Sequence, residues 1–163
     1  CDILILQMEI PQEVNEYAIQ KAKEKGAFVI LNPAPSEFEV ENILDKVDLF
    51  VPNENEILRY STKENLKEAA DELLDKNVGS VIITLGENGS EYFSKTEHIK
   101  QDAIKAKVVD TTSAGDSYIG AMAVMLDQKK SIKEAMEFAT KVSSKTVTRK
   151  GSGESIPTID EIM

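Results

Sequence analysis

Four short, nearly continuous apolar runs separated by helical patterns constrain the fold of this chain more than any other feature. The runs are DILILQ at 2–7, AFVILN at 27–32, VDLFVPN at 47–53 and SVIITLG at 80–86. Runs of this length without polar alternation are typical of parallel strands that are buried on both faces. Between the runs, apolar residues recur at helical spacing. The alternation therefore predicts a layered α/β domain with a mostly parallel sheet.

The helical patterns differ in which residues share a face. One face carries Val14, Tyr17, Ala18 and Ala22, and a second carries Leu66, Ala69, Ala70, Leu73 and Leu74. Similar spacing predicts helices over 113–126 and 132–139, and PTIDEIM at 157–163 reads as a further helical segment. After the fourth run the alternation of strands and helices stops, because SEYFS and HIKQDAI are two short predicted strands with no helix between them. Asn88-Gly89 there is a hairpin signal.

Length, charge and cysteine content limit the class of protein. The 163 residues amount to one domain, and 41% of them are apolar, which is enough for a core. The formal charge of −10, with no Lys/Arg cluster longer than a pair, argues against nucleic acid and anionic membranes as partners. No run approaches the roughly 20 residues of a membrane helix, and no signal peptide is recognisable. Cys1 is the single cysteine, which excludes an internal disulfide and fits a cytoplasmic location.

The stretch DTTSAGDSYIGAMA at 110–123 has two explanations. Ser113 and Asp116 have the spacing of a capping box, and spacing alone favours this structural explanation. However, Gly115 costs about 1 kcal/mol relative to alanine in a helix and is useful where a ligand approaches the backbone. The first amides of the helix, those of Ala114, Gly115 and Asp116, would then bind a phosphate, and the Asp116 carboxylate would accept the proton of an attacking hydroxyl.

Six segments of the chain resemble one family. DTTSAGDSYIGA is similar to the second signature of the ribokinase family of carbohydrate kinases. LQMEIP, ILNPAP, VPNENE, TLGENG and VTRKGSGESIP resemble further blocks of that family, in the same order, and together they span nearly the whole chain. The resemblance implies a ribokinase-like (Rossmann-like) layered αβα fold. It also implies transfer of the γ-phosphoryl group of ATP to the primary hydroxyl of ribose, with Mg²⁺ and K⁺ as cofactors.

The resemblance assigns catalytic roles to a few residues. Asp116 corresponds to the base, and the amides of Ala114, Gly115 and Asp116 correspond to the anion hole for the γ-phosphoryl group. Glu9, in LQMEIP, is similar to the glutamate that contacts the sugar. Without the family, Glu9 is equally well explained as an acid at the carboxyl end of a buried strand, where ligands sit in open α/β sheets.

Further positions resemble nucleotide contacts. Asn53 and Glu56 resemble the N-x-x-E motif, in which the asparagine reaches the phosphates and the glutamate organises Mg²⁺ through water. The same residues also suit an ordinary helix start. Thr84, Gly86 and Gly89 resemble the contacts of T-L-G-x-x-G, although hairpin geometry alone explains Gly89. Thr140 stands where the family usually has Asn or His facing the adenine.

A monovalent cation site is the last assignment that the resemblance implies. Asp110, Thr112 and Ser155 correspond to its ligands, with backbone carbonyls of 149–153 completing it, and the bound ion would order the anion-hole loop. Of the remaining charged groups, His98 is predicted to lie on the surface. Arg149 and Lys150 either attract nucleotide or form a solvated pair.

The family's amino-terminal half, with its Gly-Gly signature and β lid, has no counterpart in this sequence. We therefore expect residues 1–163 to be the carboxyl-terminal, nucleotide-binding half of a ribokinase-like domain, inactive or poorly folded by itself, whose complete form is a possible homodimer. Three alternatives stay open: a kinase of another sugar or nucleoside in the same family, a non-catalytic nucleotide-binding module, and a nicotinamide-binding domain. The last is disfavoured because no glycine fingerprint follows the first strand.

Overall fold

The structure is a computed structural model that describes residues 2–35 and 39–162. Over these residues the strands are β1 (Ile3–Gln7), β2 (Phe28–Asn32), β3 (Leu49–Phe50), β4 (Val81–Thr84), β5 (Ser90–Phe93) and β6 (His98–Gln101). The helices are α1 (Gln12–Glu24), α2 (Glu54–Arg59), α3 (Leu66–Asp75), α4 (Ala114–Asp127), α5 (Ile132–Thr146) and α6 (Ile159–Ile162). Within the described ranges, none of the helices has the length and apolar character needed to cross a membrane. Cys1, on which the disulfide argument rests, lies outside them.

The six strands form one sheet in which sequence order and spatial order coincide, β1-β2-β3-β4-β5-β6. The pairs β1–β2, β2–β3 and β3–β4 are parallel. The connections from β4 to β5 and from β5 to β6 are too short for a crossover, so these neighbours are antiparallel. The β4–β5 connection contains Asn88-Gly89 and a single 3₁₀ turn, Gly86–Asn88. The prediction of a mostly parallel sheet ending in a hairpin is confirmed.

The chain divides into two compact units, of which the first comprises Cys1–Leu85 and Glu91–Ile99. Its core contains apolar side chains of the parallel strands, including Val29, Leu31, Phe50 and Ile83. The predicted face of α3 is confirmed, because Ala69, Ala70, Leu73 and Leu74 are all buried. Burial of these aliphatic side chains against the sheet is the main source of stability in this unit.

The buried face of α1 differs from the predicted one. Val14 and Tyr17 are 47% and 63% exposed, whereas Asn15 and Ile19 are fully buried. The side-chain Nδ2 of Asn15 donates a hydrogen bond to the backbone oxygen of Gln7 at 3.0 Å. A polar residue therefore occupies a core position because it satisfies a carbonyl group at the end of β1. Hydrophobic periodicity alone could not identify that face.

Strand β3 is shorter than the predicted run of 47–53. Only Leu49 and Phe50 belong to the regular ladder, with Leu49 opposite Ile30. Pro52 lacks an amide hydrogen for pairing, and Asn53 already serves as the N-cap of α2. The run ends early because its last residues begin the next helix.

The second unit comprises Gly86–Ser90 and Lys100–Met163, and its two long helices, α4 and α5, pack against each other. Their predicted apolar faces are confirmed by the buried residues Ile119, Met122, Ala123, Ala135, Met136 and Ala139. The hydroxyls of Tyr118 and Ser90 lie 2.9 Å apart and share a hydrogen bond. Burial raises the pKa of Tyr118 to about 12, so this hydroxyl stays neutral.

Candidate functional site

Three predicted site residues lie at the carboxyl ends of the parallel strands of the first unit. Glu9 follows β1, Asn53 follows β3, and Thr84 ends β4. The ends of parallel strands meet at one edge of a sheet, which is where open α/β folds bind ligands. Asn53 and Thr84 are directly adjacent, because they form an isolated parallel bridge. The backbone amide of Thr84 donates to the oxygen of Pro52 at 3.0 Å, which fixes this junction.

Asn53 and Glu56 form a complete capping box at the start of α2. The Asn53 Oδ1 accepts from the amides of Asn55 and Glu56, each at 2.9 Å, and the Glu56 Oε2 accepts from the Asn53 amide at 2.8 Å. The structural explanation of this motif is therefore correct. It does not exhaust either side chain, since the cap uses neither the Nδ2 of Asn53 nor the Oε1 of Glu56.

The residues at this edge fit Mg²⁺ held mainly by phosphate. Within the described ranges, no group of three or more His, Cys, Asp and Glu side chains is arranged to hold a metal ion. Mg²⁺ does not require such a group, because it keeps several waters and binds through one or two carboxylates together with substrate phosphates. A single carboxylate such as that of Glu56, fixed by its cap, matches that requirement.

The predicted capping box at the start of α4 is wrong. Ser113 occupies the N-cap position, but its backbone lies in the left-handed region with φ 60° and ψ 10°, and its side chain makes no capping hydrogen bond. An N-cap side chain reaches the amides of the first turn from an extended backbone, which Ser113 does not have. The exposed Asp116 is therefore not explained by reciprocal capping with Ser113.

The anion hole predicted from three amides contains fewer available donors than expected. The Ala114 amide already donates to the oxygen of Thr111 at 3.2 Å. The next two amides, of Gly115 and Asp116, lie at the positive end of the α4 dipole. A Cβ atom added to Gly115 would meet no atom within 4 Å, so packing does not require a glycine there. Anion binding at this helix start stays a prediction.

Asp110 connects two loops of the second unit. Its Oδ1 accepts from the Thr112 amide at 2.9 Å, and its Oδ2 accepts from the Gly151 amide at 3.2 Å. The Thr112 hydroxyl, followed by these two amides, holds the pKa of the carboxyl below its ordinary value, so it is ionised at neutral pH. Asp110 is thus in contact with the segment 149–153 that was expected to complete the cation site.

The other proposed cation ligands fit a weakly charged ion. Ser155 is fully buried, and its hydroxyl donates to the oxygen of Ser152 at 2.6 Å, which leaves oxygen lone pairs as the available ligands. One carboxylate combined with neutral hydroxyl and carbonyl oxygens suits a hard monovalent cation. Asp110, Thr112 and Ser155 are therefore a chemically suitable ligand set.

The two glycines of TLGENG occupy positions that suit glycine for different structural reasons. Gly86 is exposed, has φ 54°, and has open space around its missing Cβ. Gly89 has φ 92°, and a Cβ there would lie 2.0 Å from the oxygen of Gln101. Gly89 is thus required by the close approach of two backbone segments, whereas Gly86 leaves its backbone accessible to a ligand.

Thr140, Arg149 and His98 are each engaged by neighbouring residues. Thr140 is buried on α5, where its hydroxyl donates to the oxygen of Met136 at 2.8 Å, so its hydroxyl hydrogen is already used within the helix. Arg149 forms an ion pair with Glu161 and is not part of a simple solvated pair with Lys150. His98 is exposed, as predicted, but it stacks on Phe93 with ring centroids 4.4 Å apart.

Sequence reasoning missed three amide side chains, two at the ends of β1 and β2 and one on α1. Gln7, Asn15 and Asn32 are linked by hydrogen bonds among themselves and to the oxygen of Val51. The one sequence signal was the asparagine of NPAP, which ends β2 and directly precedes a proline.

The predicted site residues divide between the two units. Glu9, Asn53, Glu56 and Thr84 belong to the first, and the others belong to the second.

Comparison with curated proteins identifies relatives along the full chain. Ribokinase from Schizosaccharomyces pombe is 40% identical over 99% of this chain and 54% of its own length. Deoxyribokinase from Salmonella typhimurium is 34% identical over 99% of this chain and 55% of its own length. This chain therefore spans about half the length of the curated relatives it matches.

Solved structures show the same fold. Arabidopsis thaliana ribokinase, complexed with ribose and ATP, matches with a TM-score of 0.94 at 33% identity, over 99% of this chain and 55% of its own. Thermotoga maritima ribokinase matches with a TM-score of 0.91 at 38% identity, over the same shares of the two chains. The expected ribokinase-like fold is confirmed. A family model described as pfkB family carbohydrate kinase matches residues 2–159, and the chain therefore belongs to that family.

Proposed function

We propose that this chain is the nucleotide-binding, carboxyl-terminal half of an ATP-dependent sugar kinase that phosphorylates the primary hydroxyl of ribose. The observation that carries the proposal is the start of α4, where Asp116 is exposed in the first turn and Ser113 does not cap the helix. A carboxylate in the first turn, beside the amides at the positive end of the helix, suits phosphoryl transfer, in which a base must lie next to the bound phosphate.

The reaction is an in-line displacement at the γ-phosphorus. The ribose hydroxyl oxygen forms a bond to phosphorus, the bond from phosphorus to the β–γ bridging oxygen breaks, and ADP leaves. The hydroxyl proton passes to the carboxylate of Asp116, which acts as general base. The amides of Gly115 and Asp116, together with the α4 dipole, stabilise the charge on the equatorial phosphoryl oxygens.

The remaining predicted residues hold the reactants and the ions. Asn53 presents its amide to the nucleotide phosphates from the carboxyl edge of the sheet, and the exposed backbone near Thr84 and Gly86 flanks the nucleotide. Glu9 contacts the sugar from the end of β1. Glu56 would hold Mg²⁺ through water, and the metal supplies neutralisation of phosphate charge. Asp110, Thr112 and Ser155 would hold K⁺, which orders the loop before α4.

The identity of the sugar is the finer part of the proposal. The similarity to ribokinases, including one that was solved with ribose and ATP, favours ribose. The deoxyribokinase relative at 34% identity favours 2-deoxyribose as a second candidate. Glu9 is the only proposed sugar contact besides Asp116, so the choice between the two depends on groups outside these residues. We place the reaction in the cytoplasm, with homodimerisation a property of the complete enzyme.

A chimaera tests the proposal directly. This chain is joined to the amino-terminal half of the Schizosaccharomyces pombe ribokinase, and ADP release from Mg·ATP is measured with ribose, 2-deoxyribose, fructose and adenosine, with and without K⁺. We expect ribose-dependent release that K⁺ increases, and none from this chain alone. A chimaera that binds ATP but releases no ADP with any acceptor would contradict the kinase function and support a non-catalytic nucleotide-binding module.

A further inference from the structure

Asn32 joins the strand ends on either side of it through its side-chain amide. Its Nδ2 donates a hydrogen bond to the backbone oxygen of Val51 at 2.7 Å. Its Oδ1 lies 3.4 Å from the Nε2 of Gln7, the residue directly opposite it on β1. The amide orientation is determined by these neighbours, because the reverse orientation would place the oxygen of Asn32 against the oxygen of Val51.

The Val51 carbonyl needs this donor because of the residue that follows Asn32. The Val51 amide donates to the oxygen of Leu31 at 2.9 Å. In a continuing parallel ladder, the Val51 oxygen would accept from the backbone amide of residue 33. Residue 33 is a proline and has no amide hydrogen. The side chain of Asn32 supplies the hydrogen bond that Pro33 cannot make, and a buried carbonyl group is not left unsatisfied.

The segment held in this way leads directly to the N-x-x-E motif. Val51 is fully buried and lies two residues before Asn53. From the other side, the Thr84 amide donates to the oxygen of Pro52. Residues 51–53 are therefore clamped between β2 and β4, and the β2 side of the clamp depends on Asn32 and on the Leu31 carbonyl.

The same network reaches the strand that carries Glu9. The Gln7 carbonyl accepts from the buried side chain of Asn15 at 3.0 Å, and the Met8 amide donates to the oxygen of Ala34 at 3.0 Å. Glu9 follows immediately. The ends of β1 and β3 are thus connected through side-chain amides that cross β2.

We propose that Asn32 is a positioning residue that replaces the missing amide of Pro33 and holds Asn53 and Glu56 in register with the end of β1. It touches neither nucleotide nor sugar in this role, and it acts through the backbone of Val51. The proposal rests on the proposed function, because it assigns Asn32 to the nucleotide side of that same site.

The test uses equilibrium binding of Mg·ATP to the chimaera described above, measured by calorimetry, so that it does not depend on turnover. Asn32→Ala is expected to raise the Kd for Mg·ATP about fivefold, which corresponds to the loss of one ordinary hydrogen bond. Asn32→Asp should raise it further, because a carboxylate would face the Val51 oxygen. The double variant Asn32→Ala/Pro33→Ala restores a backbone amide at residue 33 and should return the Kd to within about twofold of the parent.

The matched control is Asn65→Ala. Asn65 caps α3 through hydrogen bonds to the amides of Lys67 and Glu68, away from the strand ends. Its loss should lower the melting temperature without changing the Kd. The Thr84 amide gives a second readout, since its hydrogen exchange should accelerate in Asn32→Ala and slow again in the double variant.

Two outcomes overturn the proposal. If Asn32→Ala lowers the melting temperature as Asn65→Ala does but leaves the Kd unchanged, Asn32 has only a structural role. If the double variant does not recover binding, the missing amide of Pro33 is not what Asn32 replaces. A parent that binds Mg·ATP but phosphorylates no sugar contradicts the proposed function alone, and the Kd series still decides the role of Asn32.

Discussion

The carboxylate of Asp110 accepts a hydrogen bond from the backbone amide of Gly151, 41 residues further along the chain, at a distance of 3.2 Å. Its other oxygen accepts from the Thr112 amide at 2.9 Å. One side chain therefore fixes the loop that precedes α4 to the loop that follows α5. Removing its charge should therefore alter the conformation of the start of α4, where the proposed base lies.

Asp110→Asn should weaken activation by K⁺ and reduce turnover, because the amide removes the negative charge and presents a donor to backbone N–H groups. Since the folded pKa of Asp110 is depressed, its contribution to stability is present above the ordinary pKa of 3.8 and is lost as the pH falls below it. Activation should therefore not titrate through Asp110 between pH 5 and 8. ADP release with and without KCl checks this, and Asp127→Asn, at the exposed end of α4, is the control. Unchanged K⁺ activation in Asp110→Asn would argue against the cation site.

Asp116→Asn should reduce catalysis without lowering stability, whereas Ser131→Ala should lower stability without reducing catalysis. Asp116→Asn should lower kcat by at least about 100-fold, as expected for loss of a general base, while the melting temperature and ATP affinity stay close to the parent. Ser131 forms a real capping box with Glu134 at the start of α5. Ser131→Ala should cost about 1 kcal/mol of stability and leave kcat unchanged. Thermal melting and ADP release on both variants of the chimaera check this. An Asp116→Asn protein that melts much lower but still turns over would support a structural role for the acid.

Gly115→Ala and Gly89→Ala should separate function from packing. The methyl group at Gly115 meets open space in a helix, so stability should rise by up to about 1 kcal/mol while turnover falls, because the methyl obstructs the phosphoryl group. At Gly89 the φ of 92° and the 2.0 Å approach to Gln101 should make alanine destabilising by at least about 1 kcal/mol. Urea unfolding and kcat measurements on each variant check this. Full activity in Gly115→Ala would argue against anion binding at the start of α4.

Glu72 should make the stability of the first unit depend on pH. Its Oε2 accepts from the Thr62 amide, the Thr62 hydroxyl and the Ser61 hydroxyl. These bonds, led by the Thr62 amide and then its hydroxyl, lower its pKa from 4.5 to about 2. Because the folded pKa is depressed, the stabilisation is fully present above pH 4.5 and is lost as the pH falls toward 2.

Urea unfolding of Glu72→Gln and the parent at pH 7 and pH 3 measures this effect. The difference in unfolding free energy should be larger at pH 7 than at pH 3. Glu68→Gln, an exposed acid on the same helix, should show little difference at either pH. A Glu72→Gln deficit that is equal at both pH values would mean that the ionised carboxylate does not stabilise the 61–62 turn.

Much of the fold could be predicted from the sequence, because the buried faces of strands and helices require apolar residues at regular spacings along the chain. The four apolar runs became β1 to β4, and the apolar faces of α3, α4 and α5 were assigned correctly. The same logic failed for α1, where Asn15 is buried because of a carbonyl on another element. Spacing also failed at Ser113, since a capping box needs a backbone conformation that residue identity does not determine.

The sequence by itself determined the succession of strands and helices along the chain and the family to which the motifs belong. Only the tertiary structure decided which polar groups meet. It placed Gly151 against Asp110 and paired Asn32 with Val51. The physical reason is that periodicity reflects contacts between neighbours along the chain. A hydrogen bond between distant segments depends instead on strand register and loop path, which exist only once the chain has folded.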